Sequence, residues 1–358
     1  MQKDSEHMAM LWRCALISDL LNPWVRDLVP YSTARDEFTG KASVYLDANE
    51  SWYGDGINRY PDPFCRDLRH KMEEVLAIPF ERSAIGNGSD EVIDILIRMF
   101  SAPGDSIMIS RPTYGTYSVF ASAHGVRVIN VPLLPSLELD EESIIDRIKE
   151  EKPKIVFICS PNNPTGRVYP ISVIKRIADS NPGITAVDEA YADFAEDFVS
   201  AASLIDENER VAVLRTFSKA YGKAGARIGV LISCSEMQKA FMKMKAPYNV
   251  SLLSQREGIE ALEDKGVKER VKDIIKKRSE TETYLKALPY VKEVFPSNAN
   301  FILIRVGDAA ALYDYLLSKG IVVRNRSSEP MLQNTLRITI GSVKEMETLK
   351  EALDGYKG

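Results

Sequence analysis

Short runs of apolar residues recur along the chain from about residue 84, separated by stretches with helical spacing. Ser106–Ser110 (SIMIS), Val126–Val131, Lys154–Cys159 (KIVFIC), Ile184–Val187 and Val211–Leu214 are brief and largely apolar rather than strictly alternating. Runs of that kind predict strands covered on both faces, as in a parallel sheet between helices. Helical patterns lie among them. Asp90–Phe100 (DEVIDILIRMF) is opened by Gly88-Ser89-Asp90 with acids in its first turn, and Asp140–Lys149 carries apolar residues at 144, 145 and 148. The pattern predicts an α/β protein whose main sheet is mostly parallel.

The tail reads differently. Gly258–Leu288 is one or two long charged helices, and Asn300–Val306, Ile321–Val323 and Leu336–Ile340 are strands around a helix at Ala309–Lys319. This predicts a smaller α+β domain joined near Ala246-Pro247. The expected division is an N-terminal arm over 1–40, a large domain over 41–248 and a small domain over 249–358. No repeat of the solenoid or propeller kind is present.

Composition narrows the chemistry. The 358 residues carry 46 bases and 51 acids, a net charge of −5, with both signs interspersed. A dominant nucleic-acid surface would show a basic excess or stripe. No apolar stretch has the length of a membrane span. Met8–Leu21 is fairly apolar, but Arg13 interrupts it and Asp4 and Glu6 precede it, so a signal peptide is a poor reading. Histidine occurs only at 7, 70 and 124, and cysteine only at 14, 65, 159 and 234. None of these forms a CxxC or HExxH, and there is no GxSxG elbow. Scattered cysteines suit reduced thiols in a cytoplasmic protein. An enzyme built on this chain would draw its reactivity from something other than histidine or metal.

Four polar clusters stand out, several at the ends of expected strands, where open α/β sheets bind ligands. Gly86-Asn87-Gly88-Ser89-Asp90 opens a helix and can present N–H groups to an anion, although a plain helix cap reads the same way. Ser160-Pro161-Asn162-Asn163-Pro164-Thr165-Gly166 is rich in turn formers, and by itself reads as a rigid turn. Asp188-Glu189-Ala190-Tyr191 puts a carboxylate at the mouth of the sheet, where it needs a cationic partner unless it merely caps a helix facing water. Thr216-Phe217-Ser218-Lys219, with Arg227, offers hydroxyls, an amine and a guanidinium, though a lone lysine is more often a surface residue. Together they supply what pyridoxal 5′-phosphate (PLP) requires: a phosphate cradle, an acid for the ring nitrogen and a lysine for the aldehyde. A Walker-type loop is absent, since Gly222-Lys223 is followed by Ala224.

Seven motifs in order, Tyr60-Pro61-Asp62-Pro63, Gly86-Asn87-Gly88-Ser89-Asp90-Glu91, Thr113-Tyr114-Gly115-Thr116-Tyr117, Ser160 to Gly166, Asp188 to Tyr191, Phe217-Ser218-Lys219-Ala220-Tyr221-Gly222 and Leu336-Arg337-Ile338-Thr339-Ile340-Gly341, resemble the fold-type-I PLP-dependent aminotransferases of class II. Within them the sequence is most similar to the histidinol-phosphate aminotransferases, from about Val29 to the end. The resemblance implies the PLP-dependent transferase fold type I and a ping-pong exchange in which L-histidinol phosphate and 2-oxoglutarate become imidazole-acetol phosphate and L-glutamate. It implies Lys219 as the Schiff-base lysine and Asp188 as partner of the ring nitrogen. Asn163 and Tyr191 would bond the phenolic oxygen, Tyr114 would stack on the ring, and Ser89, Asp90, Thr216, Ser218 and Arg227 would hold the phosphate. Tyr60 would reach the neighbouring subunit's cofactor, which implies a homodimer with shared sites. Arg337 would grip the glutamate carboxylate; Tyr31, Arg324 and Arg337 are candidates for the substrate phosphate, and Asn49 for the active-site wall.

The chain departs from the family pattern after the lysine, where Lys223 and Ala226 replace leucines and Val230 stands where tyrosine is common. Lys223 is expected to face solvent. Rival readings are an aromatic-amino-acid aminotransferase, an L-threonine-phosphate decarboxylase, a PLP-fold transcription regulator and a non-enzymatic binding protein. The regulator would need a DNA-binding module, for which the roughly 40 residues ahead of the fold are too few. The binding protein is disfavoured because Lys219 and Asp188 are both in place.

Overall fold

The computed structural model describes residues 16–33 and 42–357. His7, Cys14 and much of the expected arm lie outside the described residues. Seven strands form the larger sheet: β1 (Ser83–Asn87), β2 (Ser106–Ile109), β3 (Arg127–Asn130), β4 (Ile155–Cys159), β5 (Ile184–Asp188), β6 (Val211–Thr216) and β7 (Ile228–Ile232). Their spatial order is β1-β7-β6-β5-β4-β2-β3. Every strand runs the same way except β7, which is antiparallel to both neighbours. β2, β4, β5 and β7 are buried at every position, as strands sandwiched between helices must be.

The helices used below are α1 (Arg66–Leu76), α2 (Gly88–Phe100), α3 (Thr116–Ala123), α4 (Glu141–Glu151), α5 (Ile171–Ser180), α6 (Ser235–Met244), α7 (Leu252–Glu263), α8 (Val267–Lys286), α9 (Ala309–Ser318) and α10 (Val343–Asp354). α2 begins directly where β1 ends, and buries Val92, Ile93, Leu96 and Phe100. Asp140 caps α4 through the Ser143 N–H, so the helix starts where the sequence pattern places it. The expected charged stretch resolves into two helices, α7 and α8, parted at Asp264–Gly266.

A second sheet, antiparallel throughout, has the order β10-β11-β9-β8 from β8 (Val291–Phe295), β9 (Phe301–Val306), β10 (Arg324–Asn325) and β11 (Thr335–Thr339). Ile321–Val323, expected to be a strand, is irregular; the ladder starts only at Arg324 and is two residues long. That run is apolar because Ile321 and Val323 pack on the second core, not because they pair. β8 escaped the sequence reading because its Lys292 and Glu293 are exposed on a partly buried strand.

Leu285, Leu312, Leu316, Leu336 and Leu353 pack this sheet against α8, α9 and α10. A small cluster of Tyr191, Phe194, Ala220, Val271 and Phe301 links the two sheets, and buried Arg278 of α8 donates to the carbonyls of Phe194 and Ala299 at 3.1 and 2.8 Å. This apolar junction floors a cleft between the carboxyl ends of β4–β6 and the face of β10–β11.

Candidate active site

The inner end of the cleft is made by strand termini. Asp188, the last residue of β5, is 3% exposed. One carboxylate oxygen accepts from the Tyr117 hydroxyl at 2.7 Å and the other from the Ala190 N–H at 3.1 Å. Tyr117 is wholly buried on α3 and stacks on Phe157 with ring centroids 4.8 Å apart. Burial pushes the Asp188 carboxyl above its ordinary value, against the opposing pull of those two donors. The next residue shows the two-residue alternation of a strand. Glu189, also buried, points away and accepts from Ser200 Oγ at 2.8 Å, from the Ala201 N–H at 2.7 Å and pairs with Arg215 at 3.0 Å.

Lys219 lies in the turn after β6. Burial lowers its amine below the usual lysine value, Arg337 adds to this, and Asp188 and Asp90 oppose it. Its Nζ stands 5.3 Å from the Tyr191 ring centroid and, among the described residues, has no hydrogen bond or ion pair. A half-buried amine without an acceptor is poised for chemistry rather than for stability.

Beside it the N-terminus of α2 meets the β6–β7 loop. Thr216 Oγ1 bonds Ser218 Oγ at 3.0 Å and the Ile228 carbonyl at 3.1 Å. Arg227 adopts φ +54, an uncommon conformation for a residue with a side chain, and its guanidinium pairs with Asp90 at 3.2 Å. Because β7 runs antiparallel, Arg227 at its start reaches the same sheet end as Thr216 at the close of β6. Two glycines let these parts approach: a Cβ on Gly229 would collide with the Gly88–Ser89 backbone, and one on Gly88 with the Arg227 guanidinium. The remaining Asp90 oxygen accepts from the Tyr114 hydroxyl at 2.9 Å.

The outer wall belongs to the second sheet. Arg337 of β11 donates to Asn163 Oδ1, and Asn163 in turn donates to the Tyr191 hydroxyl at 3.4 Å. Arg324 lies opposite Arg337 in the β10–β11 register. The cleft encloses about 690 Å³, and every site residue expected from sequence lines it except Tyr31, Asn49 and Tyr60. Tyr31 is 74% exposed beside Leu28 and Phe64, in a groove along α6. Tyr60 stacks on Tyr248 at 4.4 Å, in a surface pocket it shares with Asn49.

Residues 42–354 match the family model for aminotransferase class I and II. The chain is 42% identical over 346 residues to the histidinol-phosphate aminotransferase of Cytophaga hutchinsonii, covering 95% of this chain and 99% of that one. It is 40% identical over 343 residues to the enzyme of the same name from Parabacteroides distasonis, with the same coverage. Among solved structures, the histidinol-phosphate aminotransferase of Sinorhizobium meliloti in complex with pyridoxal-5′-phosphate superposes with a TM-score of 0.77, at 27% identity over 86% of this chain and 90% of that one. The chain belongs to the class I and II aminotransferases.

Enzymes of this family depend on PLP, and the aminotransferase cleft fits that cofactor. It offers a buried carboxylate for a ring nitrogen, a lysine amine without a partner, and a helix N-terminus flanked by hydroxyls and a guanidinium, with close approach secured by Gly88 and Gly229. Sequence reasoning missed Tyr117, Arg326, Glu329 and Arg111. Tyr117 belongs to the Thr113 to Tyr117 motif, but nothing local pairs it with Asp188, 71 residues away. Arg326 lies two residues beyond Arg324, the spacing of one strand face. Lys223, expected to face solvent, lies at the surface and pairs there with Glu257 of α7 at 2.5 Å.

Proposed function

We propose that this aminotransferase takes the amino group from L-histidinol phosphate and passes it to 2-oxoglutarate, giving imidazole-acetol phosphate and L-glutamate. The carrying observation is the pair of arginines, Arg324 and Arg337, set opposite one another across β10–β11 on the wall that faces Lys219. A donor with a phosphate and an acceptor with two carboxylates both need such a wall, and the names of the relatives agree with this reading.

In this reading Lys219 would hold the PLP aldehyde and Asp188 would partner the ring nitrogen. Asn163 and Tyr191 would bond the phenolic oxygen and Tyr114 would stack on the ring. Ser89, Thr216, Ser218 and Arg227 would hold the phosphate; Asp90 would join through its backbone N–H, because Tyr114 and Arg227 already occupy its carboxylate. When bound, PLP supplies an electron sink for the bond broken at the substrate Cα. Lys219, whose amine is lowered by burial, takes the Cα proton as general base and returns one as general acid. Tyr117 favours the ionised form of Asp188 by donating to it, against the upward push of burial. Arg337 holds the substrate carboxylate when glutamate is the donor, its fork aligned by Asn163.

Tyr60, Asn49 and Tyr31 stand away from their own chain's cleft with exposed aromatic or polar faces, which supports a homodimer in which Tyr60 of one subunit reaches the cofactor phosphate of the other. Among the described residues no helix is long and apolar enough to cross a membrane, in keeping with a cytoplasmic enzyme. The test is a panel of histidinol phosphate, threonine phosphate, phenylalanine and tyrosine, each followed by cofactor absorbance. Rapid amino transfer from histidinol phosphate alone is expected. CO₂ released from threonine phosphate, or equal turnover of phenylalanine, would overturn the assignment.

A further inference from the structure

The outer wall of the cleft carries more positive charge than two arginines supply. Arg326 continues the β10 ladder by donating its N–H to the Thr335 carbonyl at 2.9 Å. Side chains two apart on a strand share a face, so Arg324 and Arg326 stand together beside Arg337, and all three line the cleft. Like charges set opposite one another in a ladder repel. Arg326 and Arg337 each also bury an Nε that finds no acceptor. Burial pushes each guanidinium below its ordinary value and the neighbouring arginines add to this, against the pull of Glu329 on Arg326 and of Tyr191 on Arg337.

Among the described residues one carboxylate meets this wall. Glu329 accepts from Arg326 Nη2 at 3.1 Å and from Arg111 Nη2 at 2.9 Å, with Arg326 and Glu329 side chains only 14% and 16% exposed. Arg111 follows β2 of the larger sheet, so the Arg111–Glu329–Arg326 bridge spans the mouth of the cleft from one sheet to the other. Arg324, Arg326, Arg337 and the bridging Arg111 set against Glu329 leave an excess of three positive charges at the wall. A phosphate monoester concentrates about −1.5 to −2 of charge and three acceptor oxygens in one compact group near neutral pH, which suits clustered guanidiniums, whereas glutamate spreads its two charges over separate carboxylates.

We propose that Arg326 is a third arginine for the substrate phosphate, held in place by the Glu329–Arg111 bridge, and that it sets the preference for a phosphorylated amine over a donor bearing only carboxylates. The inference rests on the reading of the cleft as an aminotransferase site for a phosphate ester. Arg326 touches the substrate anion; Glu329 and Arg111 are positioning residues that act through it.

The experiment uses the PLP-loaded enzyme at fixed ionic strength. Arg326→Gln is expected to raise the KM for histidinol phosphate about tenfold or more, with kcat nearly unchanged, and to weaken competitive inhibition by inorganic phosphate in parallel. The KM for glutamate in its half-reaction should stay within about threefold of wild type. Arg326→Lys should fall between, since it keeps the charge and loses the fork. Glu329→Gln should shift phosphate inhibition and donor KM in the same direction as Arg326→Gln, by less. An Arg326→Gln enzyme with wild-type donor KM and phosphate inhibition overturns the proposal, as does an equal rise in KM for both donors. A wild-type enzyme indifferent to the phosphate ester overturns the functional reading itself, and that result is visible before any variant is made.

Discussion

The two ends of the cleft are satisfied to different degrees. At the inner end Asp188, Asp90, Thr216 and Ser218 already hold one another or their neighbours through 2.7–3.2 Å hydrogen bonds, while among the described residues the Lys219 amine and the Ser89 hydroxyl are left over. At the outer end, among the described residues, the one carboxylate pairs with Arg326 and Arg111, Arg324 and Arg337 meet none, and Arg326 and Arg337 each bury an N–H without an acceptor. A pre-bonded frame suits a group that stays bound, because little has to reorganise around it. A wall with surplus charge suits anions that come and go, since each arrival relieves repulsion that departure restores. In the proposed reading this difference parts the cofactor half of the site from the substrate half.

The strongest way to break that division is Lys219→Ala. It should remove amino transfer by at least about 10³-fold and abolish the absorbance of lysine-bound cofactor, while inorganic phosphate, tested in a binding titration, still finds the outer wall. A variant that keeps wild-type turnover would refute the role of Lys219. Next in size is Arg337→Ala, expected to cost about 10²-fold in kcat/KM for both glutamate and the phosphorylated donor, since it serves both ligands. Cofactor affinity, measured by equilibrium dialysis, should hardly move; a matching loss there would erase the boundary between the two ends.

Tyr117→Phe probes the inner frame. It strips Asp188 of its hydroxyl donor in a buried pocket, at a cost of about 1–3 kcal/mol. Cofactor should dissociate about tenfold more readily, and the Asp188 carboxyl should rise further, so that retention of cofactor falls off at higher pH than in wild type. A smaller effect concerns the apoprotein. The Lys219 amine is depressed in the fold, so the unfolded chain binds more protons between the lowered value and the ordinary 10.5, and stability rises with pH across that window. Lys219→Met should flatten that rise and raise Tm at neutral pH; thermal unfolding followed from pH 7 to 10 is the check. The smallest expected change belongs to Lys223→Leu, which removes an exposed pair with Glu257 and should leave Tm and cofactor affinity as they were. A clear loss would mean that the pair holds the cofactor loop.

The apolar runs announced β2, β4, β5 and β6 and the parallel sheet because strands buried on both faces are largely apolar, and Val126–Val131 marked β3 although this edge strand exposes Arg127 and Asn130. They did not announce β1 and β7: Ser83–Asn87 holds Ser83, Gly86 and Asn87, and the neighbour-dependent direction of Ile228–Ile232 has no local signature. Lys219, Asp188 and Arg227 were legible as residues, since few contexts place a lysine, an acid and an arginine at successive strand ends. The partners that tune them were not. Tyr117 comes to Asp188 from 71 residues away, and Glu329 to Arg111 from 218.

By itself the sequence determined the α/β class, the absence of histidine- or thiol-centred motifs, and the set of polar residues from which a PLP site can be built. Those are local properties, written in apolar spacing, turn formers and residue type. The tertiary structure decided what each polar group faces. It turned β7 against its neighbours so that Arg227 meets the α2 N-terminus, set Asp188 inward and Glu189 outward, and gathered three arginines on one ladder. Strand direction and cross-strand register arise only from long-range pairing, and they fix which charges are relieved within the fold and which still need a ligand.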